Sequence, residues 1–217
     1  LGDSNSQYDC WGDNVSRTIS PMGVVSPHLE GVAPDQTVND WLEHGAWMTE
    51  GEKIEVPEGL SAREWLAQYY FEHYSKEYDV DLASFCTRSE IMDSILYSLF
   101  PNLAPWAGFH PNLTYRMKPY GDNHEMCTME IIFLMRYPDG AERPADAPVH
   151  KLDKDQLFSE APGLEGGIGR VFDQDFSNLK MVQKGLKNLK SKEVVLANYQ
   201  EIRIRHFHQT LDKYLSA

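Results

Sequence analysis

The sequence predicts an α+β domain in which a curved antiparallel sheet surrounds a long C-terminal helix, with additional helices ahead of the sheet. Two helix-start patterns precede Pro101, and after Pro101 the apolar period changes from about 3.6 residues to 2. Helical spacing then returns from Gln174 to the end of the chain. A sheet wrapped around a helix encloses a cavity, and such cavities commonly hold small apolar ligands.

The composition is typical of a packed globular chain with an acidic surface. Its 217 residues are 41% apolar and 24% charged, as in one large domain or a domain with a small appendage. The 33 acidic and 20 basic residues give a net charge of −13, which disfavours nucleic acids and anionic membranes as partners. No apolar run approaches the roughly 20 residues of a membrane span, and no signal pattern is present at the start.

Cysteine usage favours a reducing, cytoplasmic location. The three cysteines, Cys10, Cys86 and Cys127, show neither CxxC nor CxH spacing. We therefore expect neither a disulfide scaffold nor a cysteine-based metal site. Leu1 stands where an initiator methionine is expected, which predicts that the chain is the interior of a longer protein.

Short strands and turns are predicted before residue 60. Residues 8–11 and 15–19 are β-like, and the second stretch alternates as a half-exposed strand does. Residues 37–45 can form two helical turns, whereas the acidic stretch 49–59 contains Pro57 and predicts a loop.

Two capping boxes predict helices that start after Ser61 and Thr87. In each box a glutamate three residues later can reach back to the cap amide. An aromatic cluster follows the first box and is expected to be core: Trp65, Tyr69, Tyr70, Phe71 and Tyr74. The second predicted helix carries Ile91, Ile95, Leu96 and Leu99 and ends at Pro101.

An antiparallel hairpin is predicted next. Residues 113–118 alternate, residues 121–123 form a turn, and residues 128–135 form a longer, more buried strand. Residues 141–170 are rich in proline and glycine and predict mainly loop. The glycines at 163–169 lack the lysine and hydroxyl residue of a P-loop, so they predict flexibility and no phosphate site.

Two helices are predicted at the C-terminus, over residues 174–189 and 197–215. The second has an apolar face made by Ile204, Phe207, Leu211 and Tyr214. Two residues on a helix span about 200°, so His206 and His208 point to opposite sides. They are expected to face solvent or pair with helix charge, and not to bind a metal.

The most informative segment is 172–185, which reads FDQDFSNLKMVQKG. Taken alone, an acid ahead of a helix, such as Asp173 or Asp175, is usually an N-cap. Asp175, Asn178 and Gln183 together, closed by Gly185, nevertheless resemble a known pattern. It is the stretch with the carboxylate ligand of the mononuclear iron in Rieske non-haem iron oxygenases, the aromatic ring-hydroxylating dioxygenase alpha subunits.

The resemblance extends along nearly the whole chain. The segments that carry it, in the order they have in the family, are 2–9, 13–17, 113–119, 129–137 and 199–208. It implies that residues 1–217 are the C-terminal catalytic domain of such an alpha subunit, with a helix-grip fold like that of START and Bet v 1 domains.

The resemblance also implies a ferrous site formed by two histidines and one carboxylate, with an open face for dioxygen. Asp175 is the implied catalytic and metal-binding residue, and Asn178 and Gln183 are the side chains implied to orient it or the start of its helix. The family's His-x4-His pair and its Rieske [2Fe-2S] domain are expected upstream of Leu1. This chain alone is therefore expected not to turn over.

As the family implies, electrons from NAD(P)H reach the iron through a ferredoxin or reductase and the Rieske cluster. One or both oxygen atoms then enter a small organic substrate, expected to be aromatic. The implied assembly is a homotrimer, with or without beta subunits. Two alternatives stay open: a non-enzymatic helix-grip module that binds a small hydrophobic ligand, and an alpha-like protein that has lost the chemistry.

Overall fold

Six antiparallel strands, adjacent in chain order, form one sheet in the part of the chain that the structure describes. This computed structural model describes residues 6–25, 31–45, 55–109, 112–165, 167–191 and 193–217. The strands are β1 (Gln7–Trp11), β2 (Val15–Ser20), β3 (Ser94–Leu99), β4 (Leu103–Ala107), β5 (Leu113–Tyr120) and β6 (Asn123–Phe133). The helices are α1 (Pro34–Gly45), α2 (Ala62–Tyr78), α3 (Arg88–Met92), α4 (Gly167–Asn188) and α5 (Ile202–Leu215). The predicted α+β class is confirmed.

The chain divides into two units. The sheet unit comprises Leu1–Gly31, Leu60–Ala141 and Leu196–Ala217, and the helical unit comprises Val32–Gly59 and Glu142–Val195. The core of the sheet unit includes Leu66, Tyr70, Ile91, Met92, Ile95 and Leu113, and that of the helical unit Val38, Leu42, Ala161 and Phe172. The assignment of residues 1–217 to one catalytic domain stays a prediction.

Several predicted elements are confirmed. Strands β1 and β2 and helix α1 lie where the sequence places them, and 55–59 are irregular, as predicted for 49–59; residues 46–54 lie outside the described residues. Both capping boxes are formed: the Ser61 and Thr87 hydroxyls each accept the amide of the glutamate three residues later, at 3.2 Å. Glu64 and Glu90 in turn accept the Ser61 and Thr87 amides.

The predicted aromatic core on α2 is confirmed in part. Tyr70 and Tyr74 are buried and their rings stack. Trp65, Tyr69 and Phe71 are half-buried. The first two stack on each other at the helix surface.

The predicted helix from Thr87 to Pro101 is wrong. Only Arg88–Met92 are helical, and Ser94–Leu99 form β3 between β2 and β4. Ile91, Ile95 and Leu99 fit a helical spacing, but Ile95, Tyr97 and Leu99 also fit the period of a strand. Asp93 ends α3 with an extended backbone, φ −75° and ψ 150°, and the neighbouring strands then supply the hydrogen-bond partners.

A buried ion pair holds the junction between α3 and β3. The Asp93 side chain is 4% exposed, and both of its oxygens accept from Arg63 on α2, at 2.6 and 2.8 Å. The Met22 amide also donates to Asp93, at 2.9 Å, while Arg63 donates to the Met22 carbonyl. The neighbouring carboxylate raises the pKa of Arg63 further. One carboxylate thus joins α2, the segment after β2 and the start of β3.

The hairpin of β5 and β6 is confirmed, but its neighbours differ from the prediction. Strand β6 starts at Asn123 and ends at Phe133, and most of it is exposed, whereas a strand over 128–135 that is more buried than its partner was expected. Strand β4 was not predicted, because Pro105 lacks an amide hydrogen and normally argues against a central strand. The pairing of β4 with β3 is interrupted between the Leu96–Trp106 and Leu99–Leu103 pairs, where Pro105 lies.

The two C-terminal helices start at other residues than expected. Helix α4 begins at Gly167, so part of the predicted 141–170 loop is helical, and a 3-10 turn lies at Phe158–Glu160. A Cβ on Gly169 would lie 2.0 Å from the Leu164 carbonyl oxygen, so close packing requires glycine there. Helix α5 begins at Ile202 and not at 197, and Arg205 donates to the carbonyls of Ala197 and Asn198 in the segment ahead of it.

We expect Asp93→Ala to lower the free energy of unfolding by about 2–4 kcal/mol, because it leaves Arg63 and the Met22 amide without their acceptor. Urea denaturation measures this change. The matched control is Asp146→Ala, which breaks the exposed Arg143–Asp146 pair and should cost no more than about 0.5 kcal/mol. Equal effects of the two substitutions would contradict the structural role of Asp93.

The capping boxes predict a pH dependence. The Ser61 amide, followed by the Ser61 hydroxyl, holds the pKa of Glu64 below its ordinary value. A lowered carboxyl pKa contributes stability above the unfolded-state pKa, and this contribution is lost as the pH falls through the folded-state pKa. NMR titration should show that Ser61→Ala moves the Glu64 pKa partway back. Glu90, capped by Thr87, is the internal control and should titrate as before.

Candidate functional site

The three side chains predicted for the iron site all lie on α4 and are exposed. Asp175 and Asn178 are three residues apart, so they are neighbours on the helix surface. Gln183 lies about 12 Å further along the axis and about 80° round the helix from Asp175. The helix thus brings Asp175 and Asn178 together, but not Gln183.

The structure distinguishes the two acids of this segment. Asp173 accepts from the Phe158 amide at 2.5 Å, the Ser159 amide at 3.4 Å and the Ser159 hydroxyl at 2.6 Å. It therefore caps the 3-10 turn, and not the start of α4. Asp175 forms no hydrogen bond or ion pair with the described residues, so both of its oxygens are available to a ligand.

Two negative findings apply to the described part of the chain. No group of three or more His, Cys, Asp and Glu side chains there is placed to hold a metal ion. None of its helices combines the length and apolar character needed to cross a membrane.

A cleft of about 140 Å³ lies in the sheet unit, between the sheet and α5. Its walls come from the turn after β1, from residues 98–104 that join β3 to β4, and from the first turns of α5. Ser16 of β2 is paired with Ser98 of β3, and both line the cleft. Local sequence patterns do not predict this site, because its walls are far apart in the chain.

Polar contacts hold α5 against the turn after β1. The Thr210 hydroxyl, 1% exposed as a residue, donates to the Asp13 carbonyl at 2.9 Å. Lys213 pairs with the Asp13 carboxylate, and the Tyr214 hydroxyl donates to Asn14. The predicted apolar face of α5 is only partly buried. Phe207 and Tyr214 pack on Phe100 but remain exposed, and Ile204 is also exposed.

His206 forms part of the cleft wall and is bonded to β1. Its Nδ1 lies 2.6 Å from the Tyr8 hydroxyl, and burial raises the pKa of Tyr8. In the tautomer in which Tyr8 donates to Nδ1, the Nε2 of His206 is a donor. The expectation that His206 faces solvent or pairs with helix charge was therefore wrong, whereas His208 is exposed. The signal available in the sequence was the spacing of His206, Thr210 and Lys213, four and then three residues apart. This spacing places three polar side chains on one face of the helix.

These features define a class of protein. An antiparallel sheet with its C-terminal helix held against it, and a cleft between them, is the helix-grip architecture that binds small molecules. The family described as Ring hydroxylating alpha subunit (catalytic domain) matches residues 16–217, and the chain belongs to that family. It therefore belongs with oxidoreductases of the oxygenase type, as predicted. No curated protein matches the chain. No solved structure matches it.

We expect Tyr8→Phe to loosen α5 without removing the ring that packs at β1. The lost hydrogen bond should lower the free energy of unfolding by about 1 kcal/mol. Hydrogen exchange should become faster at the amides of α5, while those of α2 serve as the control. Unchanged exchange in α5 would contradict a role of the Tyr8–His206 bond in holding this helix.

Proposed function

We propose that the chain is the catalytic domain of an oxygenase that binds a mononuclear ferrous ion through Asp175. The two histidines that complete such a site are proposed to lie outside these 217 residues. The domain would act with a Rieske [2Fe-2S] cluster and a ferredoxin or reductase that delivers electrons from NAD(P)H. We propose a small aromatic substrate, dioxygen as co-substrate, a cytoplasmic location and a homotrimeric assembly with or without beta subunits.

The observation that supports Asp175 is the contrast with Asp173. Two residues apart on α4, the two carboxylates have different surroundings: Asp173 has three donors, whereas Asp175 has no hydrogen-bond or ion-pair partner among the described residues. A carboxylate already saturated by amides and a hydroxyl is a poor metal ligand, because binding would require those bonds to be replaced. The donor chemistry of Asp175 fits a ferrous ion, which accepts carboxylate and imidazole ligands.

When bound, the iron supplies one-electron chemistry with dioxygen, and the protein supplies ligand geometry and a dry environment. Asp175 would hold the metal. Asn178, its neighbour on the helix, would donate from its amide to the outer carboxylate oxygen and fix the carboxylate orientation. Gln183 lies beyond hydrogen-bond reach of Asp175 along the same helix, so we propose that it orients another group next to α4.

A second candidate function is a module that carries a small hydrophobic ligand and needs no metal. The cleft beside α5 favours it, since a cavity of about 140 Å³ exists in the sheet unit independently of any metal ligand. The two functions differ in one measurable quantity, which is the iron content of the purified protein. An alpha-like protein that has lost its chemistry would also lack iron.

The test is Asp175→Ala in the full-length protein expressed from its own gene. We expect the iron content, measured by mass spectrometry, to fall from about one ion per chain to background, because a facial site needs all three ligands. Circular dichroism should be unchanged, because Asp175 forms no hydrogen bond or ion pair with the described residues.

The matched control is Asp173→Ala, which removes the cap of the 3-10 turn. It should keep the iron and lower the free energy of unfolding by about 1 kcal/mol. Full iron content in Asp175→Ala would rule out the assignment. Wild-type protein without iron would favour the carrier or the inactive homologue.

A further inference from the structure

We propose that the cleft beside α5 binds a small aromatic carboxylate such as benzoate, with the ring between the apolar walls and the carboxylate paired with Arg203. The inference concerns the sheet unit alone and uses neither Asp175 nor iron. It therefore goes beyond the proposed oxygenase chemistry and can be tested separately.

The size of the cleft sets the size of the ligand. Its volume of about 140 Å³ is close to that of an engineered cavity, about 150 Å³, that admits a single benzene ring. Leu99, Phe100 and Phe207 supply apolar walls, and Leu103 and Met117 extend them. A single ring fits this space.

The charge of the lining favours an anion. Arg203, on the first turn of α5, is exposed and forms no hydrogen bond or ion pair with the described residues. Among the described residues of the lining there is one acid, Asp13, and its charge is compensated by Lys213. The chain as a whole carries −13, so an uncompensated guanidinium here is a local exception. A guanidinium can pair with a carboxylate through two parallel hydrogen bonds.

The polar wall completes the recognition. His206 and Ser16 line the cleft, and His206 is held by its bond to Tyr8. Burial raises the pKa of Tyr8, and the positive charge of Arg203 partly opposes this effect, which places Arg203 near the Tyr8–His206 pair. The anionic group of a ligand would thus meet Arg203 beside a histidine whose Nε2 can donate.

The experiment measures binding to the full-length protein by calorimetry, with benzoate and with benzyl alcohol, a neutral compound of similar size. We expect benzoate to bind with one molecule per chain and benzyl alcohol to bind more weakly. Arg203→Gln should weaken benzoate binding by about tenfold to a hundredfold and leave benzyl alcohol unchanged. The matched control Arg143→Gln removes the same charge from an exposed loop and should leave benzoate binding unchanged.

Ala104→Leu tests whether the ligand occupies the cleft, because Ala104 lines the cleft and a larger side chain would fill it. It should abolish binding of both compounds. Asp175→Ala should leave benzoate affinity unchanged, which separates this inference from the proposed iron site. No saturable binding of benzoate, or equal affinity in wild type and Arg203→Gln, would overturn the proposal. Because Arg203 is exposed, its variant decides the question even if Ala104→Leu fails to fold.

Discussion

The Asp93 carboxylate is the constraint on which the sheet unit depends. A buried charge is costly unless it is paired and hydrogen-bonded, and Asp93 satisfies this condition only with partners from distant parts of the chain. Arg63 approaches from α2 and the Met22 amide from the segment after β2. The coordination of this one side chain therefore ties α2 to the start of β3. The apolar core, with Leu66, Ile91 and Ile95, packs around that junction.

At the C-terminal end of the chain, polar bonds and aromatic contacts together hold α5 in place. The C-terminal half of α5 is held to the turn after β1 by Thr210, Lys213 and Tyr214. Its apolar residues cover the sheet incompletely, and so a cleft remains beneath its first turns. The N-terminal half of α5 leaves apolar surface of the sheet uncovered, and it also carries Arg203 and His206, which line the cleft. The way in which polar side chains hold α5 therefore accounts both for the volume of the cleft and for the charged side chains beside it.

In the helical unit, two neighbouring acids have different tasks. Asp173 stabilises the 3-10 turn at Phe158–Glu160, whereas Asp175 forms no hydrogen bond or ion pair with the described residues. This difference in surroundings is the basis on which we propose Asp175, and not Asp173, as a metal ligand. Helix α4 also starts earlier than its sequence suggests. Packing against Leu164 and the turn at Phe158–Glu160 stabilises a glycine-rich first turn that has low helix propensity.

The sequence by itself determined the features that arise within a few residues: both capping boxes, the strands β1 and β2, the β5–β6 hairpin, the antiparallel class and the family. Each depends on local hydrogen bonds or on residue order. Only the tertiary structure decided that Ser94–Leu99 are a strand, since their apolar spacing suits a helix equally well and the neighbouring strands provide the partners. It also decided that Asp173 is hydrogen-bonded while Asp175 is not bonded to the described residues, and that a cleft forms beside α5. These depend on contacts between residues far apart in the chain, such as Tyr8 with His206, and no local pattern encodes which distant groups will meet.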